Sequence, residues 1–517
     1  MDISEETALL PAVDAQQDAP NDTTPLPKLQ LAVLCATRLM DPLTFTQIYP
    51  YINQLLSSLN IVSDGSQIGF YSGLVESSFA FFQLLVMYQW ARTSDVIGRR
   101  PVIIIGTAGL AISTVFFGLT SSLSQILIAR CLAGLFSGTT AVLHSALGEI
   151  TDQSNQVLAF PVFGLFWPLG NVIGPIIGGA LVDPVEHFPQ LFGSSAFLRQ
   201  YPHFLPCLFS GLMALSAALF AHLYLCETLP QPTSHVYGKY EVGIEQESPR
   251  APSPTCTLVI TASSVNTLEP RTRITLDTHN NSVRVFAGAG SSTDSEDLTT
   301  RQLFAIPIIG VLCLSGFVLC FVGTAFEAIF VLLCYTSVES GGLSFGAPQI
   351  GYALAIAGIS SIIIQLAIFP SLLRRFSHAR LYSCFMLLWP LTFAMFPLLH
   401  FTISTLGGRS SHALALVWTE IALLMALSRF AWLSYSVSLV LCKEHAPGPR
   451  SLAKTNALVL FSMSIARAGA PAFVSSIFAW STEHHIAGGY LWVIIMVLIC
   501  LLGCFLSKDT VRICKAS

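Results

Sequence analysis

Twelve long apolar stretches alternate with polar segments along the chain, and each has about the twenty residues that an α-helix needs to cross a bilayer. They are residues 31–55, 69–89, 102–120, 126–148, 157–181, 204–225, 306–335, 350–372, 381–401, 414–442, 457–480 and 488–506. The first stretch is the least apolar. This pattern predicts an all-α membrane protein with twelve transmembrane helices, which are numbered here in chain order.

One polar segment is much longer than the others and divides the chain. Residues 226–302 are rich in Ser, Thr, Pro, Asn and charge, which is typical of a segment that cannot bury a core. We therefore expect a disordered cytoplasmic tail (1–28), a six-helix bundle (29–225), a disordered cytoplasmic linker (226–302), a second six-helix bundle (303–507) and a short cytoplasmic tail (508–517).

The two halves have similar sequences at corresponding positions. Gln67-Ile-Gly-Phe opens helix 2, and Gln349-Ile-Gly-Tyr opens helix 8, 282 residues later. Helix 4 carries Arg130, and helix 10 carries Arg429. Several such matches in the same order indicate a duplicated six-helix unit, as in transporters built from parallel repeats.

The cations predict the orientation of the chain in the membrane. Without the long linker, 13 Lys and Arg residues lie on the side of the termini and 2, Arg199 and Arg409, on the other. Cytoplasmic loops carry such an excess, so we expect both termini to be cytoplasmic and the sequons at Asn21 and Asn280 to stay unglycosylated. We expect the protein to lie in the plasma membrane. Residues 5–10, Glu-Glu-Thr-Ala-Leu-Leu, resemble an acidic dileucine sorting signal, so the vacuolar membrane stays open as an alternative.

Composition narrows the class of function. Charged residues make up 10% of the chain, against about 25% in soluble proteins, and the net charge of −4 gives no basic face for nucleic acid. The 13 cysteines lie mostly in apolar stretches without a paired CxxC arrangement, so we expect no metal site. We find no phosphate-binding loop and no nucleophile triad, so we expect no cofactor, no ATP-driven transport and no enzyme.

The turn between helices 2 and 3 carries charges in an otherwise apolar region. Asp95, Gly98, Arg99 and Arg100 follow the spacing of the loop between helices 2 and 3 in the major facilitator superfamily, which this turn resembles; Ala91 stands where the family has Gly. The resemblance implies a gating loop. The alternative is a plain cytoplasmic turn with positive charges.

Helix 5 carries small residues at every fourth position, which puts them on one face. Gly170, Gly174, Pro175, Gly178 and Gly179 together resemble the helix 5 motif of proton antiporters in that superfamily. A bare face lets another helix approach closely, and Pro175 permits a kink. The alternative is ordinary packing of small residues. With the loop and the two-half layout, the chain is identified as a member of the superfamily.

Helix 1 indicates the branch of the family. Arg38, Asp41 and Pro42 follow a pattern of twelve-helix drug:proton antiporters, and the chain is similar to fungal relatives of zinc-induced facilitators. The cysteine signature of the plant zinc-induced facilitators is not evident, which argues against a zinc-related substrate.

Ionisable residues at membrane depth are costly and usually functional. The candidates for proton coupling and the substrate cavity are Arg38, Asp41, Glu76, Arg130, Glu327, Glu420 and Arg429. Arg38 and Asp41 share a helix face and can pair, and the resemblance links Arg130 to proton coupling. The alternative for each is a structural ion pair. For Glu327 and Glu420, interpreted as unpaired, function is favoured.

These features predict a secondary active transporter that works by alternating access. We expect a proton-coupled exporter of a small organic molecule, a xenobiotic or secondary metabolite, that acts as a monomer in the lipid bilayer. The sequence leaves open a facilitator or importer of a nutrient or metal chelate, and a receptor that binds without transport.

Overall fold

The computed structural model describes residues 24–59, 67–152, 154–229, 272–277, 282–287, 300–406, 411–447 and 449–516. The dileucine-like segment and both sequons lie outside these residues.

The first half of the chain forms the six helices that the sequence predicts. Helix 1 comprises Lys28–Thr46 and Ile52–Ser58; helix 2 is Ile68–Ile97, helix 3 Arg99–Gly118, helix 4 Leu123–Ser137 and Thr140–Ile150, helix 5 Gln156–Leu181 and helix 6 Phe204–Tyr224. Three short helices, Pro184–His187, Pro189–Phe192 and Ala196–Gln200, connect helices 5 and 6. Helices 2 and 3 are separated only by Gly98, whose φ of 104° is a conformation that favours glycine.

The second half follows the same order with more interruptions. A short helix, Thr300–Ala305, precedes helix 7 (Pro307–Tyr335); helix 8 comprises Ala347–Ile363, the π-helical Ile364–Ile368 and Phe369–Arg375; helix 9 comprises His378–Met386, Leu388–Ala394 and Phe396–Leu406; helix 10 is Ser411–Glu444, helix 11 Pro449–Glu483 and helix 12 Leu491–Ala516. Two short 3-10 turns are Val338–Ser340 and Ile486–Gly489. The π-helical turn ends at Ile368, two residues before Pro370, which lacks the N–H that an α-helix would use there.

The all-α prediction is confirmed for the membrane region. Eleven of the described helices or helix series are long and apolar enough to cross a membrane. The predicted first span is not among them, because its main helix contains polar residues, among them Arg38 and Asp41, that lower its mean hydropathy. The count of twelve spans therefore rests on the sequence pattern.

The linker contains regular structure that the sequence analysis did not expect. Strands β1 (Thr272–Asp277) and β2 (Ser282–Ala287) pair as an antiparallel hairpin, with Ile274 opposite Val285. The sequence supplies a physical reason. In Thr272–Asp277, Ile274 and Leu276 alternate with polar residues, and Ser282–Ala287 contains Val283, Val285 and Phe286, residue types that favour strands.

The two halves meet mainly through helix 2 on helix 11 and helix 5 on helix 8. The backbone N–H of Ala472 donates to Ser77 Oγ at 3.0 Å. A methyl group built at Gly179 would lie 3.2 Å from Gly351 Cα. These contacts lie towards the end where helices 2 and 8 begin, which is the side predicted to be extracellular.

Candidate functional site

The carboxyl group of Asp41 on helix 1 is held by two hydroxyl groups of helix 4. Asp41 is 6% exposed. Ser137 Oγ donates to Oδ1 at 2.7 Å, and Thr140 Oγ1 donates to Oδ2 at 2.6 Å. Helix 4 is interrupted between Ser137 and Thr140. The two hydroxyl groups that bind the carboxyl group of Asp41 lie on either side of this break. Each oxygen of Asp41 thus has a neutral donor.

This contact extends into a chain of side chains that joins helices 2, 4 and 1. Gln83 Nε2 donates to Ser137 Oγ at 2.8 Å. Arg38 Nη1 reaches Thr140 Oγ1 at 3.4 Å, at the long end of hydrogen-bond distance. The spacing of Arg38 and Asp41 on helix 1 predicts that they can pair. The structure instead inserts the Thr140 hydroxyl between them, and the ion pairs of the described residues do not include Arg38.

The guanidinium group of Arg38 lies over aromatic rings of helix 5. Its carbon is 4.7 Å from the centre of the Trp167 ring and 5.7 Å from that of Phe163. Ring faces attract cations, so these contacts fix the guanidinium beside the polar chain. Aromatic residues on helix 5 therefore position Arg38, a role that sequence reasoning did not assign to them.

Arg130 on helix 4 occupies an aromatic site of its own. It is 3% exposed and lies 4.6 Å from the ring centre of Phe79 and 5.3 Å from that of Phe45. Within the described residues, its Nε and Nη2 have no hydrogen-bond partner, and none of its hydrogen bonds or ion pairs reaches Asp41. An adjacent cavity of about 10 Å³ is close to the room that one water needs.

Glu76 on helix 2 is the most deeply buried of the candidate acids, at 2% exposure. It interacts electrostatically with Arg130 in its own half and with Glu327 in the other half. The residue after it, Ser77, accepts the inter-half hydrogen bond from helix 11. A change in the charge of Glu76 would therefore be felt by Arg130 in the first half and by Glu327 in the second half.

Glu327 and Arg429 form an ion pair across helices 7 and 10, so the interpretation of Glu327 as unpaired was wrong. Arg429 Nη1 lies 3.5 Å from Glu327 Oε1, and the two side chains are 10% and 25% exposed. On helix 11, Arg467 lies 6.0 Å from the centre of the Tyr435 ring. The second half thus carries its own cluster of charges.

Glu420 is separate from that cluster, although it shares helix 10 with Arg429. Its Oε1 accepts a hydrogen bond from Thr402 on helix 9 at 2.8 Å, and its buried Oε2 has no partner within the described part of the chain. Nine residues of α-helix separate Glu420 from Arg429, which corresponds to about 13 Å. The structure therefore does not bring Glu420 together with Glu327.

The turn between helices 2 and 3 is held by charged groups from helices 2 and 4. Arg99 Nη1 lies 2.6 Å from Asp95, and Arg99 Nη2 lies 3.0 Å from Glu149. Glu149 and Asp152 are the acids at this end of helix 4 that could pair with cations of the turn. Glu149 does so, whereas Asp152 contacts its own loop and Thr24.

Sequence reasoning missed a third acid at this turn. Glu227 follows helix 6, and its carboxylate accepts the backbone N–H of Arg99 at 2.7 Å and of Arg100 at 3.1 Å. It thereby caps helix 3, because the preceding Gly98 has no side chain to do so. Partial burial opposes the charged form of Glu227, but the backbone N–H groups outweigh it and lower the pKa of its carboxyl.

The small face of helix 5 packs on helix 1. A methyl group built at Gly174 would lie 2.7 Å from Leu43 O, and one at Gly170 would lie 3.0 Å from Leu39 O. Pro175 O and Gly179 approach helix 8 of the other half. The close approach that the sequence predicted is present, and its partner is the helix that carries Asp41.

Residues 34–471 match the family described as Major Facilitator Superfamily. The chain belongs to this superfamily. It is a multi-pass membrane transporter and not an enzyme, as the sequence analysis predicted.

Fungal relatives cover nearly the whole chain. The chain is 36% identical over 499 residues to the major facilitator-type transporter psiT2 of Psilocybe cyanescens, covering 95% of this chain and 92% of the relative. It is 28% identical to the multidrug transporter mfsB of Aspergillus fumigatus, over 87% and 78% of the two chains. Identity to the Arabidopsis protein Zinc Induced Facilitator 1 is 23%, over 89% and 85%. The predicted likeness to fungal transporters and zinc-induced facilitators is confirmed.

Solved structures share the fold. The crystal structure of the human organic anion transporter MFSD10 aligns with a TM-score of 0.55 and 19% identity, covering 94% of this chain and 100% of that one.

Proposed function

We propose that the protein exports a small organic molecule in exchange for protons. The observation that carries the proposal is the buried carboxyl group of Asp41, whose two oxygens both accept hydroxyl hydrogens at membrane depth. A buried acid is a candidate proton carrier because burial disfavours its charged form, while the two hydroxyls stabilise that form. The multidrug transporter among the relatives supports a xenobiotic or secondary metabolite as substrate.

Protonation of Asp41 would reverse one hydrogen bond of the polar chain. A protonated oxygen donates, so the hydroxyl that faces it must turn its own hydrogen elsewhere. Ser137 O lies 3.4 Å from Thr140 Oγ1 and can take that hydrogen. Because Thr140 also contacts Arg38 and Ser137 contacts Gln83, a proton on Asp41 changes partners on helices 1, 2 and 4. This is how proton binding would bias the arrangement of the first half.

The contacts between the halves suggest which state of the transport cycle this is. They lie towards the end predicted to be extracellular, so we propose a state closed on that side and able to receive substrate from the cytoplasm. We further propose that both termini are cytoplasmic and that the protein acts as a monomer. Its proposed location is the plasma membrane, with the vacuolar membrane as the alternative.

The test is transport into proteoliposomes under an imposed pH gradient, with ethidium as the first probe. The wild-type chain should accumulate the dye only while the gradient lasts, and Asp41→Asn should abolish accumulation with little change in side-chain volume. Glu327→Gln should do the same if the second half shares the proton. Glu186→Gln is the matched control, because Glu186 is exposed in the short helix Pro184–His187 and lies outside this cluster.

A protonophore separates the alternatives. Accumulation that survives the protonophore would contradict proton coupling. Equilibration without accumulation would support a facilitator, and binding of ethidium without flux in either gradient direction would support a receptor.

A further inference from the structure

The chain segment before helix 1 is docked on the loop between helices 4 and 5. The backbone N–H of Thr24 donates to Ser154 Oγ at 3.2 Å, and the two hydroxyl oxygens are 3.0 Å apart. Thr24 Oγ1 also donates to the carboxylate of Asp152 and accepts from Asn155 Nδ2 at 3.2 Å. One exposed hydroxyl group therefore makes most of the polar contacts between this segment and the loop.

The acceptor in this contact, the carboxylate of Asp152, is also held by its own loop. Asp152 Oδ1 accepts from the Ser154 hydroxyl at 2.6 Å and from the backbone N–H of Ser154 at 2.9 Å. These bonds and the one from Thr24 lower the pKa of the Asp152 carboxyl to about 2. At neutral pH the Thr24 hydroxyl faces a full negative charge.

The sequence around Thr24 favours modification. Thr24 is exposed and is followed by Pro25, which biases Thr24 towards extended backbone. Two residues on, Leu26 packs against the core of the first half. The chain has two other Ser-Pro or Thr-Pro pairs, at Ser248 and Ser253, and both lie outside the described residues.

We propose that Thr24 is a phosphorylation site for a proline-directed protein kinase, and that its phosphorylation releases residues 24–27 from the loop between helices 4 and 5. The proposal rests on the cytoplasmic placement of the tail proposed above. Thr24 Oγ1 forms a bond to the γ-phosphorus of ATP, the bond from that phosphorus to the β,γ-bridging oxygen breaks, ADP leaves, and a carboxylate of the kinase takes the hydroxyl proton.

The modification would turn an attraction into a repulsion. The phosphorylated oxygen has no hydrogen to donate to Asp152, and the phosphate brings close to two negative charges beside that carboxylate. The described residues within hydrogen-bond reach of Thr24 include no Lys or Arg that could offset them. Release follows because Thr24 Oγ1, the atom that receives the phosphate, is also the donor of the hydrogen bond to Asp152 that holds the segment on the loop.

The experiment uses the full chain in detergent, where both faces are accessible, so the outcome does not depend on orientation. A mitogen-activated protein kinase and ATP are added, and phosphosites are mapped by mass spectrometry. Thr24 should be modified in the wild type and in Thr23→Ala, and unmodified in Pro25→Ala, which retains the hydroxyl. Phosphate found only at Ser248 and Ser253 would overturn the site.

Release is measured by hydrogen–deuterium exchange of the peptide that begins at Thr24. Phosphorylation should accelerate its exchange roughly tenfold, the factor for losing one charge-assisted hydrogen bond. In Asp152→Asn the acceleration should be clearly smaller, because the opposing charge is gone. Unchanged exchange after complete phosphorylation of Thr24 would overturn the release. Protease accessibility of the tail in sealed vesicles tests the orientation separately.

Discussion

At the scale of single residues, the sequence did not predict that the hydroxyl group of Thr140 lies between Arg38 and Asp41 and contacts both. Arg38 and Asp41 are conspicuous because charge is rare at membrane depth, so sequence reasoning finds them. A threonine in a helix is unremarkable, and whether its hydroxyl bonds its own backbone or another helix depends on helix rotation and on the break after Ser137. The acids were therefore predictable, and their partners were not.

Thr140→Val should reduce proton-driven transport about tenfold, because it keeps the side-chain shape but removes the donor to Asp41 Oδ2. Thr140→Ser should keep most of the activity, since the hydroxyl is retained. The measurement is initial uptake of ethidium at a fixed pH gradient, normalised to protein in the vesicles. Equal rates for Thr140→Val and Thr140→Ser would contradict a role for the hydroxyl.

The contribution of Glu227 to the stability of the protein should depend on pH. Its folded pKa is lowered, so its stabilising effect should be present above the unfolded value of about 4.3 and be lost as pH falls through the folded value. At pH 7, Glu227→Gln should cost about 1 kcal/mol, the usual effect of a lost helix cap. Thermal unfolding of both proteins from pH 7 to pH 4 measures this, and the gap should narrow towards pH 4. A gap that widens on acidification would contradict the capping role.

At the scale of helices, periodicity predicted which face of helix 5 is bare but not which helix covers it. The spacing of Gly170, Gly174 and Gly178 follows from helix geometry alone. The choice of helix 1 as partner depends on how six helices pack together, which no local pattern encodes. The break in helix 4 was also unpredicted, because it contains no proline.

Two glycines of helix 5 make a matched pair. A methyl group at Gly174 would press on the backbone of helix 1, whereas one at Gly164 would meet nothing within 4 Å. Gly174→Ala should therefore destabilise the first half by about 1–3 kcal/mol, the usual cost of overpacking. Gly164→Ala should be neutral or gain up to about 1 kcal/mol from helix propensity. Thermal unfolding in detergent checks both, and equal melting temperatures for the two variants would mean that helices 1 and 5 can separate freely.

At the scale of the whole molecule, the sequence repeat predicted two halves but not how they meet. The residues that join them here include Gly73 and Ser77 of helix 2 and Ser475 of helix 11. Glycine and serine carry no signal of partner or of conformational state, because both are common in membrane helices. A transporter must also make and break the contact between its two halves during the transport cycle. The same residues must therefore be compatible with more than one arrangement of the halves.

Gly73→Val tests whether the contact between halves belongs to the transport cycle. A methyl group at Gly73 would lie 2.6 Å from Pro471 O and 2.8 Å from Ser475 Cβ in the other half. The substitution should therefore hold the halves apart at the predicted extracellular end while leaving the packing within each half intact. Transport should fall at least about tenfold, with a melting temperature close to that of the wild type, the opposite of the outcome for Gly174→Ala. Gly148→Val is the control, since a methyl group at Gly148 meets nothing within 4 Å. Normal transport by Gly73→Val would mean that the halves need not close there during the cycle.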